Sequence, residues 1–301
     1  MKEKDRFLLV FSSFVLFIML LLAENFFYYT LSIDISNLGS LRKVVDVAYI
    51  FTSLCITITF YLVNKKAKNM EKRLITFGKG FAVLFSYFVL SELQTLPLIL
   101  MRIDYKTMPI ISKVIYLLSF EVLIISIICL ILNKEISKAV IDIKKNHKKY
   151  FSKYLKYWLY ALIVMAGSNI IISLINGGAI AGNEETIRQT FTKAPVYMFI
   201  SAVFFAPLLE ELTFRQGFRN IFSNDTVFII VSGLVFGGLH VVSNVSSPVD
   251  LLYLIPYCTP GFVFAYIMAK TDNVFVSMGL HFLHNGIMIS LQILLMVLGQ
   301  I

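Results

Sequence analysis

Nine apolar stretches of about twenty residues, separated by short polar loops, decide most of what this chain can become. They run roughly over 7–29, 45–63, 80–101, 111–132, 157–175, 195–214, 226–243, 252–269 and 274–299. A helix of that length matches the hydrocarbon core of a bilayer. In lipid the backbone N–H and C=O groups must be paired within the segment, and nothing here resembles the short alternating segments of a membrane barrel. The sequence therefore predicts an all-α polytopic membrane protein with eight or nine transmembrane helices. Charged residues make up only 15% of the chain, against about a quarter in soluble domains. The first stretch follows MKEKDR, is longer than a signal-peptide core and lacks a small-x-small cleavage site, so it reads as a retained helix.

A net charge of +9 would suit a nucleic-acid binder, but its placement argues otherwise. Lys and Arg sit in the loops between apolar runs, and no basic face interleaved with aromatics appears. Such charges set orientation. With the N-terminus inside, 20 of them face the cytoplasm and 7 face the other side, among them Arg42 and Lys43. The expected partner is thus the lipid bilayer, not nucleic acid. The expected location is a plasma membrane, bacterial by the wealth of Lys, Ile, Phe and Ser and the single Trp. The Lys-rich stretch 133–156 should form an amphipathic helix lying on the anionic inner leaflet. It also separates an N-terminal four-helix membrane region with basic cytoplasmic loops, 1–154, from a second membrane domain, 155–301, that holds nearly all the unusual polar residues. Cys55, Cys129 and Cys258 lie inside apolar runs without a CxxC and read as small buried hydrophobes. No oligomeric state follows from the sequence.

Ionisable residues at membrane depth are costly and point to function. In the second half these are Glu210, Glu211, Arg215, His240, His281 and His284, with Asn285 as a polar neighbour. Helical spacing groups them: Glu211 with Arg215, Phe236 with His240 and His281 with Asn285 are each four residues apart and share a face. Glu210 points about 100° away from Glu211, so one glutamate can pair with Arg215 while the other faces a cavity. A Glu and a His opposed across helices can orient and deprotonate a water. A second His with an Asn one turn on supplies donors for an oxyanion. The same types, Glu210, His240 and His281, could instead ligate Zn²⁺ with an open water position.

The sets EELTFR, FGGLH and HFLHN resemble the three motifs of the CPBP family of intramembrane proteases, EExxxR, FxxxH and HxxxN, in that order. That family takes in type II CAAX prenyl endopeptidases, bacteriocin-processing and immunity proteins and the so-called Abi proteins. The resemblance covers about residues 155 to 299, and the first four segments match nothing nameable. It implies an intramembrane endopeptidase acting on a membrane-associated peptide or protein. By the same resemblance, Glu210 and His240 activate water, His281 and Asn285 stabilise the oxyanion, and Glu211, Arg215 and Phe236 support them. A metal-free mechanism is the favoured one, with Zn²⁺ as the alternative. The competing readings are a non-catalytic membrane interaction protein, such as a bacteriocin immunity protein or a sensor-kinase modulator, and a proton-linked transporter, which the absence of inverted repeats weakens.

Depth offers a further expectation. At about 1.5 Å per residue, Glu210 and His281 lie about 10 Å above the inner interface, but His240 comes out nearer 20 Å. The site is then expected as a cavity in the cytoplasmic half of the membrane. Pro207 should kink its helix and free a carbonyl, and Pro256 with Pro260-Gly261 should break the segment 252–269 near its middle. His284 fits no motif position and reads as a packing residue.

Overall fold

A computed structural model describes residues 2–30, 39–178, 180–242, 245 and 247–298, with side chains except at 22–30, 39–45, 296 and 297. The expected segment ends at 243 and 299, and the side chains of Arg42 and Lys43, lie outside the described residues. Every regular element among them is helical. The helices are α1 (Glu3–Thr30), α2 (Gly39–Asn64), α3 (Met70–Leu93), α4 (Ile110–Ile131), α5 (Asn133–Ile175) and α6 (Gly182–Lys193), followed by α7 (Pro195–Ile221), α8 (Asp225–Val241), α9 (Leu254–Thr271) and α10 (Val274–Val297). All nine apolar stretches are helical, and seven helices among the described residues are long and apolar enough to cross a bilayer. The stretch in α8 is apolar but only 17 residues long. The protein is an all-α polytopic membrane protein.

The chain divides into two compact units, Met1–Gly78 with Asn220–Asn224, and Lys79–Arg219 with Asp225–Ile301. Residues 155–301 fall, apart from Asn220–Asn224, in the second unit together with 79–154. In the first unit Phe60 packs on Phe77 at 4.5 Å between ring centroids. There Arg73 donates to Asn64 Oδ1 and to the carbonyls of Asn220 and Ile221.

The second unit has a central layer. Half of α9 with its preceding turn is buried, and 44% of α10, against 11% of α4. The peripheral helices instead expose large apolar side chains such as Ile111, Leu130, Ile163 and Leu174, as a lipid-facing surface requires. α8 and α9 approach closely through glycines. A Cβ at Gly237 would meet the Cys258 backbone nitrogen at 2.6 Å, and one at Gly261 would meet the Gly233 carbonyl at 2.8 Å. This is the small-residue contact by which membrane helices pack without a hydrophobic drive between them.

Two expectations need correction. The Lys-rich stretch is not a separate helix on the leaflet. It is the first half of α5, one 43-residue helix about 65 Å long, roughly twice the hydrocarbon thickness. Pro is absent from α5 and Gly appears first at 167, so nothing ends the helix where the charge does. The Lys-rich half therefore continues straight into the apolar half as one helix. Nor do the prolines break α9. Pro256 sits in its first turn, where no intrahelical donor is needed, and Pro260 is one turn on within a continuous helix.

Candidate active site

α7 carries the first motif, and its backbone is the unusual part of the structure. Regular helix over Pro195–Ile200, Ala206–Glu210 and Phe218–Ile221 alternates with π-helical turns over Ser201–Phe205 and Glu211–Gly217. Such turns insert a residue into the helical register and recur at functional sites. The first has a local cause. The Ala206 N–H reaches back five residues to the Ser201 carbonyl, and Pro207 has no N–H. The Ala202 carbonyl therefore loses both of its ordinary helical partners, and Asn285 Nδ2 donates to it at 2.7 Å. The carbonyl freed by Pro207 is thus taken by the asparagine of the third motif.

Glu210 lies between the two π turns and lines a cavity of about 430 Å³. Its Oε1 is 3.8 Å from His240 Nε2 and its Oε2 is 3.6 Å from His281 Nε2. His240 stands at the end of α8, where Nδ1 is 2.8 Å from the Phe236 carbonyl. Only a nitrogen bearing hydrogen can make that bond, so in the neutral ring Nε2 is the basic atom turned to Glu210. The His240 ring also stacks on Tyr257 at 5.5 Å with an interplanar angle of 18°. The 20 Å depth expected for His240 does not separate it from Glu210, because α7 runs on as helix to Ile221 and so sets Glu210 about 16 Å from its own end, deeper than expected.

Glu211 is fully buried and faces away from the cavity wall that Glu210 lines. Its Oε1 lies 3.3 Å from Arg215 Nη2 and 3.0 Å from His281 Nδ1. Arg215, also fully buried, donates to Ser232 Oγ at 3.1 Å and stacks its guanidinium on Phe236 at 4.6 Å. Ser232 in turn donates to the Phe214 carbonyl at 2.6 Å. Phe236 therefore forms one face of the arginine site and, at 4.7 Å between centroids, one face of His240.

The structure thus brings Glu210, His240 and His281 together and places Glu211, Arg215 and Phe236 directly behind them. Glu211 pairs with Arg215 one turn on, and Glu210 faces His240. What the spacing did not reveal is that His281 touches both glutamates. Asn285 lines the same cavity, but one of its amide hydrogens is committed to Ala202. His284 is buried beside Trp158 and also lines the cavity. Tyr257 was not anticipated, since an aromatic between two prolines carries no motif signal. Glu121 on α4 was also missed: its Oε1 accepts from Ser201 at 2.7 Å and from Tyr197 at 3.3 Å, at the head of the first π turn.

Among the described residues no group of three or more His, Cys, Asp or Glu side chains is arranged to hold a metal ion.

Residues 192–287, which carry all three motifs, match the family model described as Type II CAAX prenyl endopeptidase Rce1-like. The chain is 25% identical to UPF0177 protein YvdC of Lactococcus lactis subsp. lactis (strain IL1403) over 271 residues, 86% of this chain and 98% of that protein. It is also 26% identical over 114 residues to the Bacillus subtilis (strain 168) protein named "Putative membrane peptidase YdiL", covering 37% of this chain and 43% of that one. No solved structure matches the chain. Across the helices that carry the three motifs, the chain is thus similar to the type II CAAX prenyl endopeptidase Rce1-like family of membrane proteins.

Proposed function

We propose that this chain is an intramembrane endopeptidase that hydrolyses a peptide bond of a membrane-associated peptide or protein. The observation that carries the reading is the Glu210 carboxylate held between two imidazole Nε2 atoms on a cavity wall. The separations of 3.6 and 3.8 Å exceed a direct hydrogen bond but suit a water that bonds to both partners.

In this mechanism Glu210 takes a proton from a water that His240 Nε2 helps to orient. The hydroxide oxygen bonds to the scissile carbonyl carbon, and the carbonyl π electrons move onto its oxygen. His281, with its Nδ1–H held on Glu211, offers Nε2 to that oxyanion when the ring carries its second proton, and the remaining Asn285 amide hydrogen is a second donor. Collapse re-forms the C=O and breaks the C–N bond, and the proton held by Glu210 passes to the departing nitrogen. Glu211 and Arg215 supply fixed geometry rather than protons. In a bacterial plasma membrane, with the N-terminus cytoplasmic, a bacteriocin, a pheromone precursor or another membrane peptide fits as substrate.

The test is Glu210→Gln, which keeps the size of the side chain and removes its basicity. Cleavage of a candidate membrane peptide by purified protein should fall by about 10²–10⁴-fold, at equal expression and unchanged thermal stability. If cleavage, or the phenotype of the deletion strain, persists in both Glu210→Gln and His240→Ala, the hydrolytic reading is wrong. The motif helices would then serve a binding role.

A further inference from the structure

The cavity that holds Glu210 is closed in one direction along the helices and open in the other. Lys138 pairs with Asp272 at 2.8 Å, and Arg219 and Lys270 pair with Asp225 at 2.8 and 3.8 Å. These contacts gather the start of α5, the start of α8 and the end of α9 at a single basic end of the second unit. Towards that end the cavity has no exit. Every residue of Glu211–Gly217 is buried, and Phe264, Met278 and Leu280 are no more than 1% exposed.

Towards the other end the cavity lining continues through Asn169 in the last turns of α5, Asn183, Glu184 and Arg188 on α6, and Gln292 in the last turns of α10. Glu184 and Arg188 pair at 2.9 Å and remain 38% and 36% exposed, so the lining reaches the surface there. Between them and Glu210, Gln292 is 7% exposed, and its Nε2 has no hydrogen-bond partner. A buried amide donor left unpaired is costly to keep unless something else takes its hydrogen.

We propose that the cavity is filled from the face opposite the lysine-rich half of α5, which the charge asymmetry of the loops makes the extracytoplasmic face. Its occupant is a peptide segment presented on that side, which reaches Glu210 past α6 and places a backbone carbonyl against Gln292 Nε2. The substrates are then exported or surface-anchored peptides, not cytoplasmic tails. This departs from the expected position in the cytoplasmic half, because depth counted from helix ends says how far Glu210 lies from a face but not which way its cavity opens. Naming the occupant a substrate rests on the hydrolytic reading, whereas the face of entry does not.

The full chain in membrane vesicles tests it, with a membrane-impermeant maleimide as the probe. Asn183→Cys samples the mouth, Met288→Cys the cavity wall, and Lys148→Cys the basic half of α5. Labelling of the unchanged chain, which carries Cys55, Cys129 and Cys258, is subtracted. In right-side-out vesicles Asn183→Cys and Met288→Cys should label at least tenfold faster than in inverted ones, and Lys148→Cys should show the reverse. Labelling of the cavity cysteines from the Lys148→Cys side, or from neither side in chain that elutes as folded protein, overturns the proposal. Lys148→Cys labelling from outside overturns the assignment of the face. The same pattern should persist in Glu210→Gln, so a failure of the hydrolytic reading leaves this readout intact. With a cleavable peptide, Gln292→Leu should raise KM about threefold to tenfold with kcat held, and an unmoved KM removes Gln292 from the binding path.

Discussion

Glu211 and Arg215 form an ion pair with no exposure to solvent or lipid, and His281 is attached to it through the same carboxylate oxygen. Removing one member leaves a buried charge without its partner. Arg215→Met should therefore destabilise the protein by about 3–5 kcal/mol, read as a fall in unfolding midpoint in detergent. The double change Glu211→Gln with Arg215→Met should cost less than the sum of the single changes. A second coupling links Asn285 to Pro207 through the Ala202 carbonyl. Asn285→Ala leaves that carbonyl unpaired and should cost about 1–3 kcal/mol. Pro207→Ala returns an N–H able to take it, so the cost of Asn285→Ala should shrink in that background. Equal costs in both backgrounds would break the link between the proline and the asparagine.

At the level of elements, the site depends on how α7 is wound and how α8 meets α9. The two π turns set Glu210 between registers that an uninterrupted helix would not combine, and the first is held from α4 by Glu121 and from α10 by Asn285. Ser201→Ala removes a donor from Glu121 and should lower stability by about 1–3 kcal/mol. The contact of α8 with α9 brings His240 to its place through Gly237. Gly237→Val should therefore abolish cleavage and lower the unfolding midpoint, since its Cβ would collide with the Cys258 backbone as well as with its Sγ, and the backbone cannot swing aside. The neighbouring Gly238 has nothing within 4 Å, and Gly238→Ala should be neutral or stabilise by up to about 1 kcal/mol. Equal damage from both substitutions would mean that helix flexibility, not close approach, is what Gly237 provides.

Across the whole molecule, the hydrolytic reading in its metal-free form carries an expectation about metals. Purified protein dialysed against a strong chelator should keep its full rate of peptide cleavage, and loss of activity with recovery on added Zn²⁺ would overturn the metal-free mechanism. Much of the architecture is legible without coordinates. A bilayer admits only segments whose backbone is internally paired, so nine long apolar runs translate into helices, and the scarcity of charge makes Glu210, Glu211, Arg215, His240 and His281 conspicuous. Spacing of four residues along a helix is equally local, which is why the Glu211–Arg215 pair follows from the sequence alone. The contacts that give the site its shape are not local. The hold of His281 on Glu211, the capture of the Ala202 carbonyl by Asn285, the stacking of Tyr257 on His240 and the direction in which the cavity opens depend on helix rotation and on inserted π turns. Those are set by packing between helices far apart in sequence, so the residues of the site were written in the chain but their partners were decided by the tertiary structure.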